Sequence, residues 1–248
     1  MKKLIATACA AIASAAALAS TVESSNTFGV LKVATTGAGQ YFISVPWKTV
    51  GGSADTIAPT NLVLATNLNA NDRLYAYAGS GSGTQFGAWY VEDDEKSGVK
   101  SWEEDDVLDS SDEKITPPST VARGAGILIE TNADAIYLTG QYSEDNKAIT
   151  ITGSSDGETP AYTLIGAKLA KSYALNGQDW PGAAANDVIL LNGGKTTTFN
   201  GTTWSKVGGK FTGTEPVLTA GTGAWYIRYG TGTASVTFTN EYTSVTNE

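Results

Sequence analysis

The chain has no histidine, one cysteine and one methionine in 248 residues. Without imidazole, Ser-His-Asp and Cys-His catalysis lose their base, and zinc, copper and haem sites lose a principal ligand. Cys9 and Met1 both fall within the first nineteen residues, so a chain that loses that segment has no thiol, disulfide or thioether. Secreted domains often use disulfides to compensate for a small core, but the roughly 229 residues that remain can bury enough apolar surface without them. Basic residues are also scarce: 16 Lys and Arg stand against 25 Asp and Glu, a net charge of −9 that falls to −11 without Lys2 and Lys3. So acidic a chain has no basic stripe to displace counterions from nucleic acid, and anionic membrane surfaces repel it. Phosphate-loop and dinucleotide fingerprints are missing. The run Gly79-Ser80-Gly81-Ser82-Gly83 is not followed by Lys-Ser/Thr and reads as a turn. Carboxylate chemistry stays open, as an acid pair for glycoside hydrolysis or as oxygen ligands for calcium.

The N-terminus has the pattern of an export signal. Lys2 and Lys3 precede the apolar, Ala-rich stretch Leu4 to Leu18, and Ala17-Leu18-Ala19 is an A-x-A cleavage site. A membrane-spanning helix needs about twenty apolar residues, and this run turns polar at Ser20-Thr21. The residues before Cys9 match a lipobox poorly. Cleavage is expected after Ala19, leaving a secreted chain, extracellular or on the cell surface after bacterial export, with no membrane span.

Gly, Thr, Ala and Ser dominate the rest, and no segment after the signal carries a 3.6-residue apolar period. Alternating runs are common instead. In Ala234 to Thr239 the residues Ala234, Val236 and Phe238 share one face and hydroxyls the other, the period-2 mark of a half-buried strand. Tyr41–Val45, Leu74–Ala78, Gly126–Glu130, Ile136–Thr139, Ile149–Thr152 and Val188–Leu191 read the same way. The expected fold class is all-β.

Landmarks recur in order. Asn71-Asp72, Gly79 and Trp89 are matched by Asn186-Asp187, Gly194 and Trp204 at an offset of 115, and Gly124-Ala-Gly126 is matched by Gly221-Thr-Gly223 at an offset of 97. This order predicts two tandem, related β-sandwich or barrel-like domains, residues 20–146 and 147–248. The boundary is expected at Ser143 to Asn146 or Ser154 to Pro160. Trp89, Trp204 and Trp225 are expected in the cores, since large aromatics dominate burial.

The fall in offset places 18 extra residues in the first domain, coinciding with the acidic segment Glu92 to Lys114, which has eleven acids, three lysines and a net charge of −8. Charge runs of this kind are usually solvated loops. Asp105, Asp106, Asp109 and Asp112 are the calcium candidates, although no EF-hand spacing is present. Asp109 or Glu113 could act as a catalytic acid only with a second carboxylate across a cleft. Trp102, surrounded by charge, must pack back on its domain or contact a partner. Trp47 and Trp180, next to Pro46 and Pro181, are the other candidate contact or glycan-stacking residues. No organic cofactor is expected.

The hairpins GAGILIE (124–130) and GTGAWYIR (221–228) and the strand FISVP (42–46) give the chain a resemblance to secreted bacterial proteins made of tandem β-domains. The resemblance implies an extracellular or surface location but no defined activity. The expected function is a non-enzymatic structural or surface protein, a matrix or filament component acting through self-association or a surface partner. Carbohydrate binding is the first alternative and a carboxylate-dependent glycosidase the second.

Overall fold

The computed structural model describes residues 28–77, 86–94, 97–142, 148–167, 171–207 and 213–238. The export signal, the Gly79 turn and the Ser143–Asn146 boundary lie outside them. Half of the described residues are in strands and 7% are helical, which bears out the all-β expectation.

Nine strands come first: β1 (Phe28–Ala34), β2 (Gly39–Ser44), β3 (Thr56–Ile57), β4 (Arg73–Tyr77), β5 (Phe86–Asp94), β6 (Val99–Glu104), β7 (Val121–Ala122), β8 (Gly126–Thr131) and β9 (Ala135–Gln141). Eight follow: β10 (Ile149–Thr152), β11 (Ala161–Gly166), β12 (Tyr173–Ala174), β13 (Val188–Leu191), β14 (Lys195–Thr198), β15 (Val217–Leu218), β16 (Gly223–Arg228) and β17 (Thr233–Val236). In the first set β1 pairs β9, β3 pairs β7, and a five-stranded sheet runs β2-β8-β4-β5-β6. In the second, β10 pairs β17, β12 pairs β15, and a four-stranded sheet runs β11-β16-β13-β14. The pairing order therefore recurs strand by strand, and the single bridge from Phe199 to Trp204 stands where β6 would be.

The Asn-Asp turns recur to the level of single hydrogen bonds. Asn71 and Asn186 adopt φ of 66° and 76°, a left-handed conformation that Asn tolerates better than most residues. The carboxylates of Asp72 and Asp187 accept the N–H groups of Asn69 at 2.8 Å and Ala184 at 2.9 Å. Asn71 then donates to the Val91 carbonyl and Asn186 to that of Phe199.

That register corrects the tryptophan matching. Trp102 faces Val91 and Trp204 faces Phe199, whereas Trp89 faces Leu74 and Glu104. By position Trp204 corresponds to Trp102, not Trp89. The extra length is likewise not one insert. The interval Asn71–Val91 is seven residues longer than Asn186–Phe199, Val91–Trp102 is six longer than Phe199–Trp204, and Trp102–Gly124 is five longer than Trp204–Gly221. Three lengthened connections give the same total shift as a single insertion, so an offset between landmarks does not separate the two cases.

Each strand set encloses its own apolar cluster. Ile43, Leu62, Leu74, Ile127, Ile129 and Leu138 centre the first, and Ile151, Ile165, Ile189, Trp204, Tyr226 and Phe238 the second. Each such side chain contributes about 1.5–3 kcal/mol on burial. Alternation puts them there: Ile127 and Ile129 of β8 are fully buried while Leu128 between them faces outward.

The two sets meet through reciprocal contacts. Ser44 N–H donates to the Gly221 carbonyl at 2.9 Å, and Gly166 N–H donates to that of Gly124 at 2.8 Å. Ile43 bridges Thr222, and Ala125 bridges Ile165. A side chain at Gly166 would put its Cβ 2.6 Å from Ser44 Cα, so this close approach of two backbones requires glycine. The Asn192 side chain clasps Phe42, accepting from its N–H at 2.6 Å and donating to its carbonyl at 2.9 Å. An aromatic layer covers the join: Trp225 makes edge-to-face contacts with Phe42, Phe86 and Tyr162 at centroid distances of 6.3, 5.8 and 6.1 Å. Trp225 was expected in a core. It instead lies on the outward face of β16, because Ala224, Tyr226 and Arg228 take the inward positions.

Candidate functional site

The three tryptophans singled out in the sequence pack inward. Trp47 is buried beneath the paired glycines of β1 and β9, where a Cβ on Gly29 would lie 2.7 Å from its ring and one on Gly140 2.5 Å from its Cβ. Trp102 lies half-buried against the first core, and its indole N–H donates to the Val63 carbonyl at 2.9 Å. Trp180 packs on Trp204, Tyr226 and Phe238 and donates to the Leu175 carbonyl at 2.8 Å. Each indole N–H or ring thus has an internal partner, as buried aromatics usually require.

The acids of the 92–114 segment are dispersed among separate partners. Asp105 pairs with Arg73 at 3.1 Å, and Asp106 pairs with Lys114 at 2.8 Å. Asp109 accepts the N–H groups of Ser111 and Glu113, and Asp112 occupies the turn at φ 60°. Donating to the Asp106 and Glu104 carboxylates raises the Lys114 ammonium pKa to about 12. Among the described residues, no three acidic side chains converge in a way that could hold a metal ion.

Two other features stand out. The first is β1, which among the described residues pairs only with β9. Its outward face carries Phe28 and Val30, 51% and 59% exposed. Two other sheet edges differ from it. β6 is flanked by acids and ends in Glu103 and Glu104, and β14 is only four residues long.

The second is an open cleft of about 480 Å³ in the first strand set, lined by Lys32, Asn67, Asn69, Asn132, Asp134 and Tyr137. Its walls come from three chain segments, two of which are held together by one buried pair. Asp72 and Thr131 are 8% and 3% exposed. Thr131 donates to the Asp72 carboxylate, which also accepts the Asn69 N–H, and the Thr131 hydroxyl accepts the Ala133 N–H at 3.0 Å. The Asn69 and Asn132 amides then hydrogen-bond to each other. Lys32, opposite Tyr137 in the β1–β9 ladder, holds its ammonium 5.9 Å from that ring's centre.

The matching positions of the second set carry none of this chemistry. Ala184 stands where Asn69 does in the turn, and the Thr150–Ser235 pair stands where Lys32–Tyr137 does in the ladder. Asp187 there accepts from Tyr226 at 2.6 Å and Arg228 at 3.0 Å instead of from a threonine. Sequence reasoning missed the cleft because Asn67, Asn69, Asn132 and Asp134 read as ordinary turn residues. The Asn71-Asp72 signature was the only available pointer.

Comparison with known proteins finds no matching family model, no matching curated protein and no matching solved structure.

Proposed function

We propose that this chain is an exported, non-enzymatic β-protein of the bacterial surface or extracellular matrix, built from two copies of one domain and acting by contact. Residues 1–19 are removed, 20–146 form the first copy and 147–248 the second. The recurring strand order and the twin Asn-Asp turns support the duplication. The absence of histidine and of any thiol after Ala19 supports a role without nucleophilic catalysis.

One observation carries the contact reading: the seven-residue edge of β1 with Phe28 and Val30 exposed. An unpaired strand edge is a template for strand addition, and the one charge on β1, Lys32, leaves its Phe28–Val30 end apolar. A second copy of the chain can add a strand along β1 and cover both side chains.

Fractionation of producing cells, with mass spectrometry of the recovered chain, tests the assignment. The expected result is a chain beginning at Ser20, recovered from the envelope or the medium. A cytoplasmic chain that retains Met1 to Ala19 would refute it.

A further inference from the structure

We propose that the polar cleft of the first strand set binds a neutral saccharide. The cleft volume of about 480 Å³ falls within the roughly 300–1,000 Å³ usual for small-ligand sites. It is open to solvent, which suits the end or a side of a glycan chain better than an enclosed metabolite.

The lining defines the ligand class. Three carboxamides, Asn67, Asn69 and Asn132, line the cleft; with Asn69 Nδ2 donating to Asn132 Oδ1, that pair still presents the Asn69 carbonyl oxygen as an acceptor and the Asn132 amino group as a donor. Adjacent hydroxyls on a sugar ring present the same alternation, so the pair can serve two of them. Lys32 and Asp134 contribute one charge of each sign, leaving the cleft neutral on a chain of net charge −9. With its one cation balanced by a carboxylate, the cleft has no surplus charge to recognise phosphate or a uronic acid. Tyr137 lines the cleft wall with the Lys32 ammonium over its ring, so the lining is almost wholly polar, as a hydroxyl-rich ligand requires.

The site is also pre-organised. Asp72 and Thr131 fix the backbones that carry Asn69 and Asn132, so those amides are positioned before any ligand arrives. The second strand set serves as an internal control. It keeps the Asn-Asp turn but has Ala184, Thr150 and Ser235 at the corresponding positions. The Asn69 amide, absent at Ala184, is thus not needed for the turn and can serve a ligand together with Asn132.

Titration calorimetry of the full mature chain against neutral oligosaccharides (gluco-, manno-, xylo- and galacto-configured) and against polygalacturonate tests the assignment. Wild-type protein is expected to bind at least one neutral series and to prefer it to the acidic polymer. Asn69→Ala and Asn132→Ala are each expected to weaken binding by about fivefold or more, the loss of roughly one net hydrogen bond, with melting temperatures near wild type. Ala184→Asn, in the second set, should leave affinity unchanged. No heat with any neutral series, preference for the acidic polymer, or affinity indifferent to both cleft substitutions would each overturn the proposal. None of these substitutions touches β1, so the outcome is separate from that of the contact reading.

Discussion

Asp187, in the second core, accepts three hydrogen bonds on one carboxylate oxygen: from Ala184 N–H at 2.9 Å, Tyr226 hydroxyl at 2.6 Å and Arg228 guanidinium at 3.0 Å. Asp187 and Arg228 are 1% and 5% exposed, so neither charge can turn to water if its partner is lost. Asp187→Ala is expected to cost about 3–5 kcal/mol in denaturant unfolding, because it leaves a buried guanidinium unpaired. Tyr226→Phe removes a single bond and is expected to cost about 1–3 kcal/mol near neutral pH, since its partner is charged. Burial and the Asp187 carboxylate push the Tyr226 phenol above its ordinary value of 10.0. The folded protein therefore keeps a proton that the unfolded chain releases. This contribution is present in full below pH 10 and is lost as pH rises above it. Unfolding free energy measured from pH 8 to 11 should fall more steeply in wild type than in Tyr226→Phe. Equal slopes would show that this phenol does not couple folding to pH.

Strands with one buried face were readable from alternation. Tyr41–Val45, Gly126–Glu130, Ile149–Thr152 and Val188–Leu191 coincide with β2, β8, β10 and β13 within one or two residues. The hidden strands are those where alternation carries no core signal. β6 (VKSWEE) buries little beyond Trp102 and Lys100, and β14 (KTTT) buries only Thr197, so charge and hydroxyls masked both. Trp225 was misplaced because Arg228 occupies an inward position of the same strand, where the Asp187 carboxylate and the Gly182 and Thr231 carbonyls accept from its guanidinium. The cleft was unreadable because Asn69 and Asn132 lie 63 residues apart and meet only through the Asp72–Thr131 pair. At the join between sheets, Gly166 of β11 abuts the backbone of both Ser44 and Ala125. In Gly166→Val the new Cβ must displace the Ser44 backbone, and a clash with backbone is expected to cost about 1–3 kcal/mol. Separation of the strand sets should also expose Trp225 and shift tryptophan emission to longer wavelength. Unchanged stability and emission would show that the join yields at no cost.

At the scale of the whole molecule, two apolar cores are connected by a join of reciprocal backbone bonds and an aromatic layer. With 25 acids against 16 bases, copies of the chain repel one another except where apolar surface offsets the charge. Exposed Phe28 and Val30 on the β1 edge are such a place. The first strand set carries both this edge and the polar cleft, so the two functional proposals fall on that set, while the second set repeats the pairing order without them. Contact between copies is the central claim. Sedimentation velocity of the mature chain over a hundredfold concentration range, for wild type and Val30→Lys, tests it most directly. The account predicts that the sedimentation coefficient of wild type rises with concentration and that Val30→Lys, its edge charged, remains monomeric. A wild-type chain that is monomeric throughout, or a Val30→Lys variant that associates equally well, would contradict it.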